Sequence, residues 1–342
     1  MAWQTHSDSF LACYYKHMKF VRRILPTIVL VLVLACGGLF FWQRDAVLDW
    51  AAAREFTPNS TVSQLVSDTT MTPYAKQLFY ANRPAVEPRQ TFNAHCTDPS
   101  EQVAVLGCFV GNRRGIYVYE VTDTRLSGIQ QVTAAHEMLH QAYQRLGGKE
   151  KTRINGLLQE YHDLKASQAL KDKIASYKGS EPTELQNEMH SIFGTEATDL
   201  PSELETYYKQ YFTNRQKVLA FHQQYQSEFD KRRAQIEDYD NRLSVLKAQI
   251  EAKKSGLEAQ VKALTARRAQ LDAYLATNQI EAYNSAVPGF NTLVVSYKAE
   301  LNATNATVDE FNRLLAERNQ LAVQERQLED AIDSSVDAAA RQ

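Results

Sequence analysis

Phe229, Ile236, Leu243, Ile250, Leu257, Leu264 and Leu271 follow one another at every seventh position without a break. Residues repeated at that interval return to one face of an α-helix, so the stretch must be a single long helix with a narrow apolar stripe, roughly 63 Å of it at 1.5 Å per residue. The second position of the repeat is weaker. Tyr239, Leu246 and Tyr274 fit it, whereas Lys253, Gln260 and Arg267 do not. A stripe this narrow needs a partner that covers it without a full zipper. Residues 292–333 can supply one through Leu301, Val308, Leu315, Leu321, Leu328 and Ile332. The pattern predicts a helical coiled-coil arm over 216–335, folded as an antiparallel hairpin that turns near Asn284 to Phe290. A parallel homodimer, or another coiled-coil partner, is the competing arrangement. The charges on the arm read as a solvated face, and 336–342 as a disordered tail.

The rest of the chain is ordinary in bulk: 342 residues, 44% hydrophobic and 23% charged, enough for two domains. A formal net charge of −2 and the lack of an arginine-rich, aromatic-interleaved stripe exclude nucleic acid as a partner. Ile24 to Trp42 is an uncharged run of 19 residues. It spans about 28 Å, one hydrocarbon core, and predicts a transmembrane anchor over 24–42. Lys16, Lys19, Arg22 and Arg23 precede it. The positive-inside rule then places 1–23 in the cytoplasm and the remainder outside the cell membrane, as a single-pass signal anchor. Cleavage as a signal peptide near Ala51 to Ala53 is the alternative.

Beyond the membrane disulfides are possible, and Cys96 and Cys108 are close enough in sequence to form one; two buried free thiols are the other reading. Residues 45–90 read as short helices, with a capping box at Thr61 and Gln64 and an N-cap at Thr72-Pro73. Val103 to Val110 and Ile116 to Val121 are apolar, β-rich runs around the turn-like Gly111-Asn-Arg-Arg-Gly115, and predict a hairpin. Its edge is a candidate for pairing with an extended peptide, or simply a small sheet covering a helix.

The chemistry is concentrated in His136-Glu137-Met138-Leu139-His140. Two histidines four apart lie on one helix face, where both imidazoles reach one ion, and the intervening glutamate lies beside the water that ion would hold. Ser127 with Gln130 reads as a capping box for this helix and Gly147-Gly148 as its left-handed stop. Val132, Ala135, Leu139, Ala142 and Leu146 form its buried stripe, with the histidines at the edge. A charged helix or two follows, with Ile154, Leu157, Leu158, Tyr161, Leu164 and Ile174 inward and His162 as a possible ligand. Pro182 to Gly194 reads as a further helix, opened by the proline and closed by the glycine, with Leu185, Met189 and Ile192 buried. Glu188 lies on the border of that face, where a third ligand from across a cleft would have to be. Glu196 and His190 are its rivals.

HExxH on one helix followed by Asn187-Glu188 on a later one resembles the gluzincin metallopeptidases. The run Ala134-Ala-His-Glu-Met-Leu-His140 with Asn187-Glu-Met-His-Ser-Ile-Phe-Gly-Thr-Glu196 is similar to a group of exported bacterial HExxH proteins with coiled-coil tails, over about residues 70 to 215. The gap between His140 and Glu188 is 47 residues, more than in thermolysin-like members. The resemblance implies one zinc ion held by His136, His140 and Glu188, with Glu137 as general base. His190 and Tyr143 are candidate catalytic donors, and Glu196 an alternative ligand or a support for the ligands.

The expectation is therefore a mainly α (α+β) chain: an N-terminal transmembrane helix, a zincin-like metallopeptidase domain over 45–215 with a small β-hairpin or sheet, and a C-terminal coiled-coil hairpin. Its expected activity is extracytoplasmic, zinc-dependent hydrolysis of a peptide or protein substrate in the cell envelope. The rival is an envelope scaffold, inactive or with a structural zinc, acting through its coiled coil.

Overall fold

The seven-residue stripe and the HExxH helix fall in different parts of the chain. The computed structural model describes residues 43–96, 106–180 and 184–334. The chain divides into two compact units, Met1–Glu120 with Gln130–Leu219, and Val121–Ile129 with Ala220–Gln342. No helix among the described residues is long and apolar enough to cross a membrane; the expected anchor over 24–42 lies outside them.

The first unit begins with three short helices, α1 (Arg44–Glu55), α2 (Ser60–Asp68) and α3 (Pro73–Ala81). Thr72 caps α3 as expected, its hydroxyl accepting from the Ala75 amide at 3.1 Å with Pro73 in the first turn. The cap of α2 is Asn59 rather than Thr61: its Oδ1 accepts from the Val62 amide at 2.8 Å, two residues earlier than the expected box. A three-stranded sheet follows, ordered β1 (Ala85–Glu87), β3 (Gly115–Tyr119), β2 (Gly107–Val110), with α4 (Arg89–His95) between β1 and β2. The predicted hairpin is β2 and β3, antiparallel, with Val110 opposite Gly115. β1 pairs parallel to β3 and was not foreseen, because three residues are too few to show a period of two. Cys96 and Cys108 form a disulfide that ties the end of α4 to β2.

Four helices complete this unit: α5 (Ile129–Gln144), α6 (Gly148–Leu164), α7 (Gln168–Ser180) and α8 (Leu185–Glu196), then the short α9 (Ser202–Tyr208). Ile154, Leu158, Tyr161 and Ile174 point inward as expected, but Leu164, the last residue of α6, is 72% exposed. The core gathers Leu78 and Phe79 of α3, Ile116 and Val118 of β3, Met138 and Leu139 of α5, and Ile192 and Phe193 of α8. α1 is fastened to it through Asp49, which is 1% exposed. Its carboxylate accepts from Arg113 of the hairpin turn at 2.9 Å, from Arg145 beyond the end of α5 at 2.6 and 2.9 Å, and from Gln141 at 3.4 Å.

Three expected helix ends are displaced. Ser127 does not cap α5; it closes a 3-10 turn (Thr124–Leu126), and Gly128 at φ 101° reverses the chain into the helix. Gly147 and Gly148 do not stop α5. Gly147 has φ −66° and begins α6, the last turn of α5 having tightened through Leu146 N to Tyr143 O at 3.2 Å. α8 runs through Gly194 instead of ending there. The glycine is needed for closeness: a Cβ at 194 would lie 2.5 Å from Leu139 Cδ1 and 2.7 Å from Tyr208 Cε1.

The second unit is built on α10 (Arg215–Ala276) and α11 (Ile280–Ile332). Arg233 meets Glu325 at 3.3 Å, Asp240 meets Arg318 at 2.9 Å and Lys253 meets Glu300 at 3.2 Å. Partner numbers fall as the α10 numbers rise, so the two helices run antiparallel. Every residue of the seven-residue stripe is buried or half-buried, and so are Lys253, Gln260 and Arg267, while Leu275 and Ile280 beside the turn are 48% exposed. The turn comes earlier than expected, at 277–279, where Asn278 takes φ 58° and Gln279 N bonds Tyr274 O at 2.8 Å. Pro288, expected to mark the turn, lies inside α11.

Candidate metal centre

The centre is made where α5, α8 and β2 meet. On α5 the spacing of four sets the His136 and His140 rings 4.7 Å apart, edge to face. The sequence pattern places them at a half-open cleft edge; the structure buries the helix more completely. Glu137 is 5%, His140 8% and Gln141 0% exposed, because α5 is covered on more than one side. Ligand atoms of His136, Glu137 and His140 lie within 4.8 Å of one another and could hold a metal ion.

α8 brings Glu188 to the same point. Its Oε2 is 3.5 Å from His136 Nε2 and its Oε1 is 3.4 Å from His140 Nε2. A charged hydrogen bond would be shorter, about 2.8 Å, and the buried Oε2 has no hydrogen-bond partner. Glu188 therefore spans both imidazoles from across the helix pair, a reach that Glu137, anchored between them on α5, does not need. Burial pushes the His140 pKa down, against the pull of Glu188, so the ring is neutral and able to ligate. Burial also opposes ionisation of Glu188, but the nearby histidines outweigh it and hold the carboxyl below its usual range.

β2 closes the other side. Gly107 packs so tightly that a Cβ there would lie 2.5 Å from Thr133 Cγ2 and 2.7 Å from Glu137 Oε1. Phe109 lies parallel to His140 with ring centres 6.5 Å apart. Between them Cys108 carries the disulfide, so the covalent tie is one residue from each contact.

The other sequence candidates lie elsewhere. His190, offered as a catalytic donor, is fully buried. Its Nε2 bonds Tyr207 Oη at 2.8 Å, and burial lowers its pKa to about 3. The ring sits packed among Tyr143, Tyr207, Tyr208 and Tyr211. Tyr143, the second candidate donor, gives its hydroxyl proton to Asn155 Oδ1 at 2.9 Å. Glu196, the rival ligand, pairs with Lys173 at 2.5 Å. His162 pairs with the neighbouring Asp163 at 2.8 Å.

Sequence reasoning missed the supports of α8. Arg215 is 5% exposed, pairs with Glu205, and donates to the Ala197 carbonyl at 2.7 Å just past the helix end. Tyr208 Oη donates to the His190 carbonyl at 2.7 Å. Ser191, also fully buried, places its hydroxyl 3.3 Å from His140 Nδ1. Its spacing of three from Glu188 was the available signal, since it puts both on one helix face.

Fold and centre together define a mainly helical chain with a small mixed sheet and a His-Glu-His cluster able to hold a metal ion. No protein-family model, no curated protein and no solved structure matches this chain.

Proposed function

We propose that the protein is a zinc-dependent metallopeptidase, anchored by residues 24–42 and acting on peptides or proteins outside the cell membrane. The observation that carries the reading is the position of Glu188, at 3.4 and 3.5 Å from the two Nε2 atoms. Tetrahedral zinc with bonds of about 2.0–2.2 Å separates its nitrogen and oxygen ligands by about 3.4 Å, close to each of these two distances, one to each carboxylate oxygen. His136, His140 and Glu188 would hold the ion. Bound zinc supplies an activated water and polarises a scissile carbonyl. Glu137, next to the ligands and in contact range of β2, would be the general base, a carboxylate placed to hold a proton and return it to the leaving amine. The Cys96–Cys108 disulfide supports an oxidising compartment.

The low exposure of Glu137 and His140 favours one other reading, a scaffold whose zinc is structural or whose site is inactive. The two separate on the full-length chain. Under the peptidase reading, Glu137→Gln retains one zinc and loses hydrolysis of a peptide library, while His140→Ala loses both. Hydrolysis at the wild-type rate in Glu137→Gln sinks the peptidase reading.

A further inference from the structure

Ser191 is fully buried inside α8, and its hydroxyl lies 3.3 Å from His140 Nδ1, within hydrogen-bonding reach. The opposite nitrogen of the same ring, Nε2, faces Glu188 at 3.4 Å. Glu188 and Ser191 are three residues apart on one helix, so the element that brings the carboxylate to one side of the imidazole brings the hydroxyl to the other. A neutral imidazole carries its proton on one nitrogen and a lone pair on the other. We infer that Ser191 is a positioning residue for the metal centre: it accepts the Nδ1 proton of His140 and so holds the ring in the tautomer and orientation that leave the Nε2 lone pair for the metal. The inference rests on the metal-binding reading of the site.

The state dependence of the contact gives the inference its test. Without metal, the ring can take either tautomer, because a hydroxyl can donate to Nδ1 as well as accept from it. With metal on Nε2, Nδ1 must carry the proton, and its partner must accept. Removing the hydroxyl takes from Nδ1–H its partner at 3.3 Å in the metal-bound form and leaves the Asn187 side chain as the other hydrogen-bonding neighbour of the ring, whereas the metal-free form can also change tautomer. The loss therefore falls on metal affinity and not on the fold. Partners that orient ligating histidines in this way typically change metal affinity about 10–100-fold.

The experiment is a competition titration of zinc alone against a chelator, on full-length wild-type, Ser191→Ala, Ser191→Cys and Ser191→Thr chains, with the metal-free melting temperature of each recorded. Ser191→Cys keeps the volume but offers a weak acceptor, and covers the case in which Ser191→Ala folds poorly. The expected result is zinc affinity reduced about 10–100-fold in Ser191→Ala and Ser191→Cys. Ser191→Thr should recover it, metal-free melting temperatures should stay near wild type, and Nδ1–H of His140 should exchange faster in nitrogen-15 histidine spectra of the zinc-loaded Ala variant. Unchanged zinc affinity in the Ala and Cys variants overturns the role of Ser191 alone. A wild-type chain that binds no zinc overturns the metal reading and this inference together.

Discussion

Gly107 shows how little room surrounds the general base that we propose. A methyl group at this position would meet the Glu137 side chain at 2.7 and 2.9 Å and Thr133 at 2.5 Å, so the carboxylate must swing away from its place beside the histidines. The three nearest atoms belong to Thr133 and Glu137 and none to His136, His140 or Glu188. Gly107→Ala is therefore expected to keep its zinc and to lose hydrolysis on the order of a hundredfold, the usual cost of displacing a reacting group by about an ångström. Zinc content and turnover on the same preparation check both halves. At this scale the sequence was most informative where chemistry fixes spacing: two histidines four apart on a helix bring both imidazoles to one place, where they could hold one ion. It was silent on Gly107 and Ser191, because a glycine in a strand and a serine in a helix look the same whether or not a carboxylate or an imidazole stands opposite.

Among the elements, α8 is only partly legible in the sequence. The border position of Glu188 was legible from the apolar pattern of its neighbours, yet the helix was expected to end at Gly194, which instead allows Leu139 and Tyr208 to approach. A stop signal and a close-packing site use the same residue, and only the partner elements separate them. The partners here include Tyr207, Tyr208 and Tyr211, a buried hydroxyl cluster in which Tyr207 and Tyr211 lie 3.1 Å apart. Burial raises the Tyr211 pKa to about 12. A tyrosine of the unfolded chain ionises near 10, so stability is fully present below about pH 10 and is lost as pH rises through the folded value, by about 2–3 kcal/mol for this one group. Denaturant titrations from pH 9 to 11 are expected to show the first half of that fall, about 1.4 kcal/mol from this group, and Tyr211→Phe to lessen it. The long helices were the most legible elements of all. Residues of one seven-residue series are covered from end to end, and only the turn was misplaced, since Asn278 can stop a helix without a glycine and a proline can lie within one.

At the scale of the whole molecule the division into two units was visible as a change of pattern, from short elements broken by proline and glycine to an almost unbroken helical repeat. The assignment of residues 121–129 to the second unit was not, because nothing local distinguishes a connecting segment from a packed one. The proposed zinc ligands all belong to the first unit. Zinc at a hundredfold over its dissociation constant stabilises what it binds by about 2.7 kcal/mol. Added zinc is accordingly expected to raise the melting temperature read from the buried tyrosines in the near ultraviolet. The far-ultraviolet transition of α10 and α11 should stay where it is, and a common shift of both would show that the units unfold as one.

Asp49 carries a consequence of a mechanical kind. With residues 24–42 fixed in a membrane, as we propose, any pull on the protein enters through α1. The first strong bonds in that path are those from Asp49 to Arg113 and Arg145, which hand the load to the hairpin turn and to the far end of α5. The histidines lie further back along the same helix, so the Asp49 bonds stand between the tether and the ligands.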